Sequence, residues 1–464
     1  MRVMRQLSLF LLMIGLTSSA FANSGPVYWE GYPSTQVLAV DREATLEVKS
    51  ENLIFDFTGN EGVSYNLTGD VQATYEFYNP LSEAQEVAMA FPFIGSLRNL
   101  KQEEMLITQD GEVLDYVLRL GGPVPRGNPE EPLPKQRLPF EGILQDIKTR
   151  PTAEEKAFLQ REGRVYTFEV TPASEEPVNF AVDFNFKAAD TQVLTSGFNR
   201  YERRDDETRI ASWCRGRSVL EIFVIGEGVD FDIAGFADGA LEKPTEGFTW
   251  EVTDRSENLQ GYLEKILLET FLLEEDEILE ETVGMLGRRL RENFPLWGGY
   301  ASEMDFSYDL EQERMMVLLY EVALEAESVS EVTVNYRTRA TMDHTRSLEP
   351  QYTVEYLLNP AGYWQAFEDL SIEILTSDEL PYLVESTLDF KSGGKNRYTA
   401  YFKSLPEEDL VFTLYGKEQV TLYDEVAGGL KRHFGYFFPL FAGGLVLGGL
   451  VLVLLLLRRK KEQS

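Results

Sequence analysis

The sequence predicts a mainly β protein: two or three β-sandwich-like blocks with a helical insert, plus one C-terminal transmembrane helix. Three observations predict it. Short runs alternating apolar and polar residues, broken by turn residues, recur through most of the chain. One stretch, 259–294, changes to helical spacing. A 24-residue run from Phe434 to Leu457 carries no charge.

The chain opens with a different apolar segment. Arg2 and Arg5 precede an apolar run from Leu7 to Leu16, then Thr17-Ser18-Ser19 and Ala20-Phe21-Ala22. This is the layout of a secretory signal peptide over 1–22. The first β block spans 35–120. Ala44 to Val48 and Val71 to Phe77 alternate in polarity, and Asn79-Pro80 ends the second run. Glu86 to Phe91 reads as a return strand. Asp110-Gly111 between Met105–Thr108 and Val113–Tyr116 is a two-residue hairpin signal.

Residues 121–162 form a proline-rich excursion with short helices, marked by Pro123, Pro125, Pro129, Pro132, Pro134, Pro139 and Pro151. One helix is expected near 140–147. A second follows Thr152, where Glu155 three residues on completes a capping box. Strands at 165–170, 178–187, 192–198, 208–213, 219–225 and 248–252 make a second β block, 163–255. The helical insert, 256–300, places Leu259, Leu263, Ile266 or Leu267, and Thr270 or Phe271 on one face, then Leu279, Val283, Leu286, Leu290 and Phe294. Glu274 to Glu277 open its second helix and Arg288, Arg289 and Arg291 close it, matching the helix dipole. A membrane-proximal β-sandwich follows at 306–420, then a stalk.

The apolar run 434–457 is about 36 Å long as a helix, enough to cross a ~30 Å hydrocarbon core with some tilt. Arg458, Arg459, Lys460 and Lys461 follow it directly, a positive-inside anchor. The expected location is the cell membrane, single-pass type I, with the N-terminal domain extracellular and a tail at 458–464. Gly444 and Gly448, in G-x-x-x-G spacing, offer a helix–helix contact and a homodimer through the membrane helix.

There is an internal echo. Tyr75-Glu76 precedes Glu86-Val87 by the same interval that separates Tyr320-Glu321 from Glu331-Val332. Each pair reads as a hairpin.

Composition excludes several functions. The net charge is −34, which repels phosphate backbones and anionic headgroups, so nucleic acid is not an expected partner. With only His344 and His433, no histidine triad or multi-histidine zinc site can be built. The lone Cys214 forms no intrachain disulfide and reads as a buried small hydrophobe, which suits a bacterial envelope. Asp230 to Gly235 starts like a calcium loop but lacks the third ligand and the twelfth-position glutamate. Asp305 to Asp309 only loosely resembles an adhesion-type metal motif. Carboxylate pairs are too abundant to single one out. Hence no catalytic, cofactor or metal residue is assigned, and the chain is not expected to be an enzyme. Trp29, Trp213, Trp250, Trp297 and Trp364 are either core residues or a sugar-binding face.

The string from Val71 to Phe93, followed by Met105 to Gly111, resembles the start of VIT-type β-domains. The wider layout, with NLIFDFTG at 52–59 and NPAGYWQAFEDLSIEI at 359–374, is similar to uncharacterised exported, C-terminally anchored proteins of Firmicutes. Neither resemblance implies a known activity. The resulting expectation is a non-catalytic surface protein engaged in protein–protein interaction or envelope structure. The alternative is a glycan-directed protein that binds or cleaves wall polymer.

Overall fold

The computed structural model describes residues 28–29, 32, 34–40, 45–59, 67–100, 105–124, 152–272, 276–345, 347, 349–358, 364–426, 443–444 and 447–449. All counts below refer to these residues. The predicted signal peptide, the helix near 140–147 and the tail from Arg458 to Lys461 lie outside them.

The fold is mainly β, with five sheets. The largest has nine strands. Its centre runs through Leu370–Leu375, Glu47–Asp56, Thr68–Tyr78 and Val329–Arg339. Its inner face presents Leu53, Phe55, Ala73, Tyr75, Phe77, Val332 and Val334, all fully buried or nearly so. A six-stranded sheet covers part of this face. Phe55 meets Tyr356 and Phe412 edge-on, with centroids 5.7 and 5.3 Å apart. A four-stranded sheet, built on Gln85–Gly95 and Arg314–Leu324, covers the rest. There Phe91 lies 4.7 Å from Tyr336.

The predicted blocks 35–120 and 306–420 therefore do not form separate sheets. Their strands alternate within shared ones. The echo explains how, and it corrects the hairpin expectation. Thr68–Tyr78 and Gln85–Gly95 lie in different sheets, as do Arg314–Leu324 and Val329–Arg339. Each segment is an arch between layers, and the two arches exchange partners. Tyr75 pairs with Val332, and Met89 with Tyr320. Asn79, fully buried at the bend, ties them together. Its amide donates to Glu83 and Glu325 carbonyls at 2.8 and 2.9 Å. Its side-chain oxygen accepts from Leu81 N–H at 3.0 Å and from Gln85.

The middle of the chain is an insertion between neighbours. Val117–Pro123 and Arg314–Leu324 are paired strands, and Val124 N–H donates to the Glu313 carbonyl at 2.8 Å. Ends this close let a folded unit be inserted without disturbing its host. Within the insertion a five-stranded and a four-stranded sheet enclose their own core, including Phe168, Val170, Phe180, Val182 and Ile222.

Helix α1 (Ala153–Leu159) starts with the expected capping box, Thr152 and Glu155. Helices α2 (Leu259–Thr270) and α3 (Asp276–Asn293) follow the expected spacing, with Leu259, Leu263, Ile266, Val283, Leu286 and Leu290 buried. Helix α2 covers the outer face of the five-stranded sheet, where Tyr262 stacks on Phe223 at 4.6 Å, and α3 packs on α2 and on the host strand Val117–Pro123. Glu281 of α3 pairs with Arg119 of the host strand, linking insertion and host. Helix α4 (Glu303–Glu311) occupies the segment with the loose metal motif. Asp305 there caps the helix, accepting from Ser302 N–H at 2.8 Å. Asp110 and Gly111 both take positive φ, 51° and 85°, as a tight hairpin turn requires.

No helix among the described residues is long and apolar enough to cross a membrane. Of the predicted span 434–457, only 443–444 and 447–449 are described, and they are helical. Gly444 and Gly448 are exposed there, and a Cβ at either would meet nothing within 4 Å.

Candidate functional site

Strand Phe248–Asn258 forms one end of the five-stranded sheet. It pairs with Glu162–Pro172 over its full 11 residues without a register shift. Among the described residues nothing pairs with its other edge. Phe248 anchors the strand against Phe180, with centroids 5.9 Å apart. Gly235 makes room for that ring, since a Cβ there would fall 2.1 Å from it. Beyond Phe248 the strand overhangs the facing sheet. Trp250 and Val252, opposite the core residues Val170 and Phe168, are left 45% and 42% exposed. Edges of this length are usually bulged, shortened or covered, because their free N–H and C=O groups template further pairing. Here the strand is regular and carries no proline, and Glu251, Asp254, Arg255 and Glu257 are the charges along it.

The face of this strand toward α2 is held by charge. Glu221, nearly buried, accepts from Lys265 at 2.7 Å, Thr167 at 2.9 Å and Arg255 at 3.1 Å. Burial alone would raise its carboxyl, but these three donors together hold it below the ordinary carboxylate range. Arg255 is thus fixed beside the open edge.

The tryptophans divide. Trp213, Trp250 and Trp297 are exposed and sit on three separate elements, whereas Trp364 is buried against Phe77 at 5.1 Å. The side chain of Trp29 lies outside the described residues. Cys214 is buried, and burial pushes its thiol up, away from a reactive thiolate.

A second feature is a cleft of about 340 Å³ where the nine-stranded and four-stranded sheets meet. Ser34, Phe93, Tyr336 and Thr338 line it, with Arg98, Arg337 and Arg339 at its mouth. Each arginine already faces a carboxylate: Arg98 with Glu311, Arg337 with Asp70 at 3.1 Å, Arg339 with Glu313 at 3.3 Å. The mouth is charge-balanced and is no anion trap.

Behind the cleft lies a buried polar group that the sequence pattern missed. Glu51 is 1% exposed. A register shift between Val48 and Ser50 reverses the inward face, so Leu46 and Val48 point in, and then Glu51, Leu53 and Phe55. The Tyr356 hydroxyl donates to Glu51 at 3.3 Å and the Gln36 amide also donates to it. Desolvation outweighs these donors, with Tyr75 among them, and lifts the carboxyl to about 7. Glu51 is packed within the core, with Tyr75, Tyr356 and Gln36 around its carboxyl. Among the described residues no group of three or more His, Cys, Asp or Glu is arranged to hold a metal ion.

No family model matches the chain, and no curated protein matches its sequence. Among solved structures it is similar to a "putative nutrient binding protein" from Legionella pneumophila subsp. pneumophila. The identity is 9%, over 84% of this chain and 73% of that one, with a TM-score of 0.36. A likeness that distant says nothing about function.

Proposed function

We propose that this chain is a non-catalytic cell-surface protein whose acidic β-rich body acts by protein–protein contact, with 434–457 as its membrane anchor. The observation that supports the reading is the open strand Phe248–Asn258, with Trp250 and Val252 exposed along it. Strand addition to such an edge gains affinity from main-chain hydrogen bonds and specificity from alternate side chains. Crosslinking in intact cells tests it. Replacing Trp250 and Val252 together by lysine should remove the crosslinked partner. The same change at Leu296, exposed elsewhere, should not. Crosslinks that survive the double substitution refute contact through this edge.

The glycan-directed reading draws on the exposed Trp213, Trp250 and Trp297. Cosedimentation with wall polymer that is unchanged when all three become alanine would remove it.

A further inference from the structure

We infer that the open edge pairs with the same edge of a second copy, antiparallel, across a two-fold axis through Thr253. This rests on the contact reading above and names its partner.

The register follows from geometry and charge. A two-fold perpendicular to the sheet keeps each side-chain face on its own side. Each residue then meets one of the same parity, and a single residue sits opposite its own copy. Centring on Glu251, Asp254 or Arg255 sets that like charge against itself, which destabilises a cross-strand pair. Of the five central positions, which alone allow seven or more residues to pair, Val252 and Thr253 remain. Centring on Thr253 alone aligns Phe248 with Asn258, so the whole 11-residue strand pairs. It also places Glu251 opposite Arg255, once on each side of the axis, with no like-charge pair along the ladder. The longest overlap and the best charge match select the same register. Arg255 is already positioned by Glu221 at 3.1 Å, so the partner's glutamate meets a fixed guanidinium. On the opposite face Trp250 stands over Ser256 and Val252 over Asp254, with Val252 diagonal to its own copy.

The test uses the purified full-length chain. Cys214 is buried, so the unmodified protein is the background for thiol crosslinking. Thr253→Cys should form a disulfide-linked dimer on mild oxidation, and Thr249→Cys, which would face Glu257, should not. Adding Glu251→Arg to Thr253→Cys turns both cross-strand ion pairs repulsive and should weaken association about tenfold. Circular dichroism checks that each exposed substitution leaves the fold intact. Crosslinking of Thr253→Cys no greater than background overturns self-pairing. A dimer formed by Val252→Cys instead overturns the Thr253 register. If self-pairing fails while the Trp250 and Val252 lysine variant still loses a partner on cells, the contact reading stands with a different partner. If both fail, the edge is not an interface.

Discussion

Glu51 makes this protein's stability depend on pH in a direction opposite to that of a salt-bridged carboxylate. Its folded value, about 7, lies above the ordinary 4.5, so the unfolded chain releases this proton first as pH rises. The stability it contributes is complete below 4.5 and is lost as the pH climbs to about 7. At about 1.4 kcal/mol per pH unit, that interval amounts to about 3 kcal/mol. Glu51→Gln removes the ionisation and keeps the shape. The new amide can donate to the side-chain oxygen of Gln36, which is buried without a hydrogen-bond partner. Urea unfolding of both proteins, followed by tryptophan fluorescence from pH 4.5 to 8.5, isolates the effect. Every other charged group is common to the two proteins, so its effect cancels in their difference. The variant should exceed the parent by about 3 kcal/mol at pH 8, and the gap should close toward pH 4.5. A difference independent of pH, or a variant less stable at pH 8, refutes the argument.

Two further outcomes follow from buried polar groups. Asn79→Ala should cost about 2–4 kcal/mol, because it leaves the Glu83 and Glu325 carbonyls, one in each arch, and the Leu81 N–H without their partner, as read by chemical denaturation. Glu221→Gln should cost about 2 kcal/mol at pH 7, a figure discounted because Lys265 and Arg255 are 31% and 38% exposed. Its carboxyl is held low, so this stability is present at neutral pH and fades on acidification, and the variant and parent should converge in acid.

Local pattern carried much of the secondary structure. The hairpin at Asp110-Gly111, the capping box at Thr152 and the buried faces of α2 and α3 were all legible, since each is set by residues within one or two turns of one another. Glu51 was not. Simple alternation from Leu46 and Val48 puts it on the outer face, and only the bulge turns it inward. The strand at Arg200–Arg204 and helix α4 were missed for a related reason. Arg200–Arg204 is charged along most of its length and owes its place to pairing with Glu207–Cys214. The open edge was half legible: its strand was expected at 248–252, but nothing local shows which edges stay unpaired among the described residues.

By itself the sequence determined the β-rich class, the switch to helix at 259, the acidic surface and the exclusion of histidine chemistry, because these depend on composition and short-range spacing. It also contained the echo between 75–87 and 320–332. Only the tertiary structure decided what the echo means: two arches that trade strands, with the middle of the chain inserted between paired neighbours. Strand pairing is a contact between residues hundreds of positions apart, and a strand's own pattern records which face is buried but not which strand lies beside it.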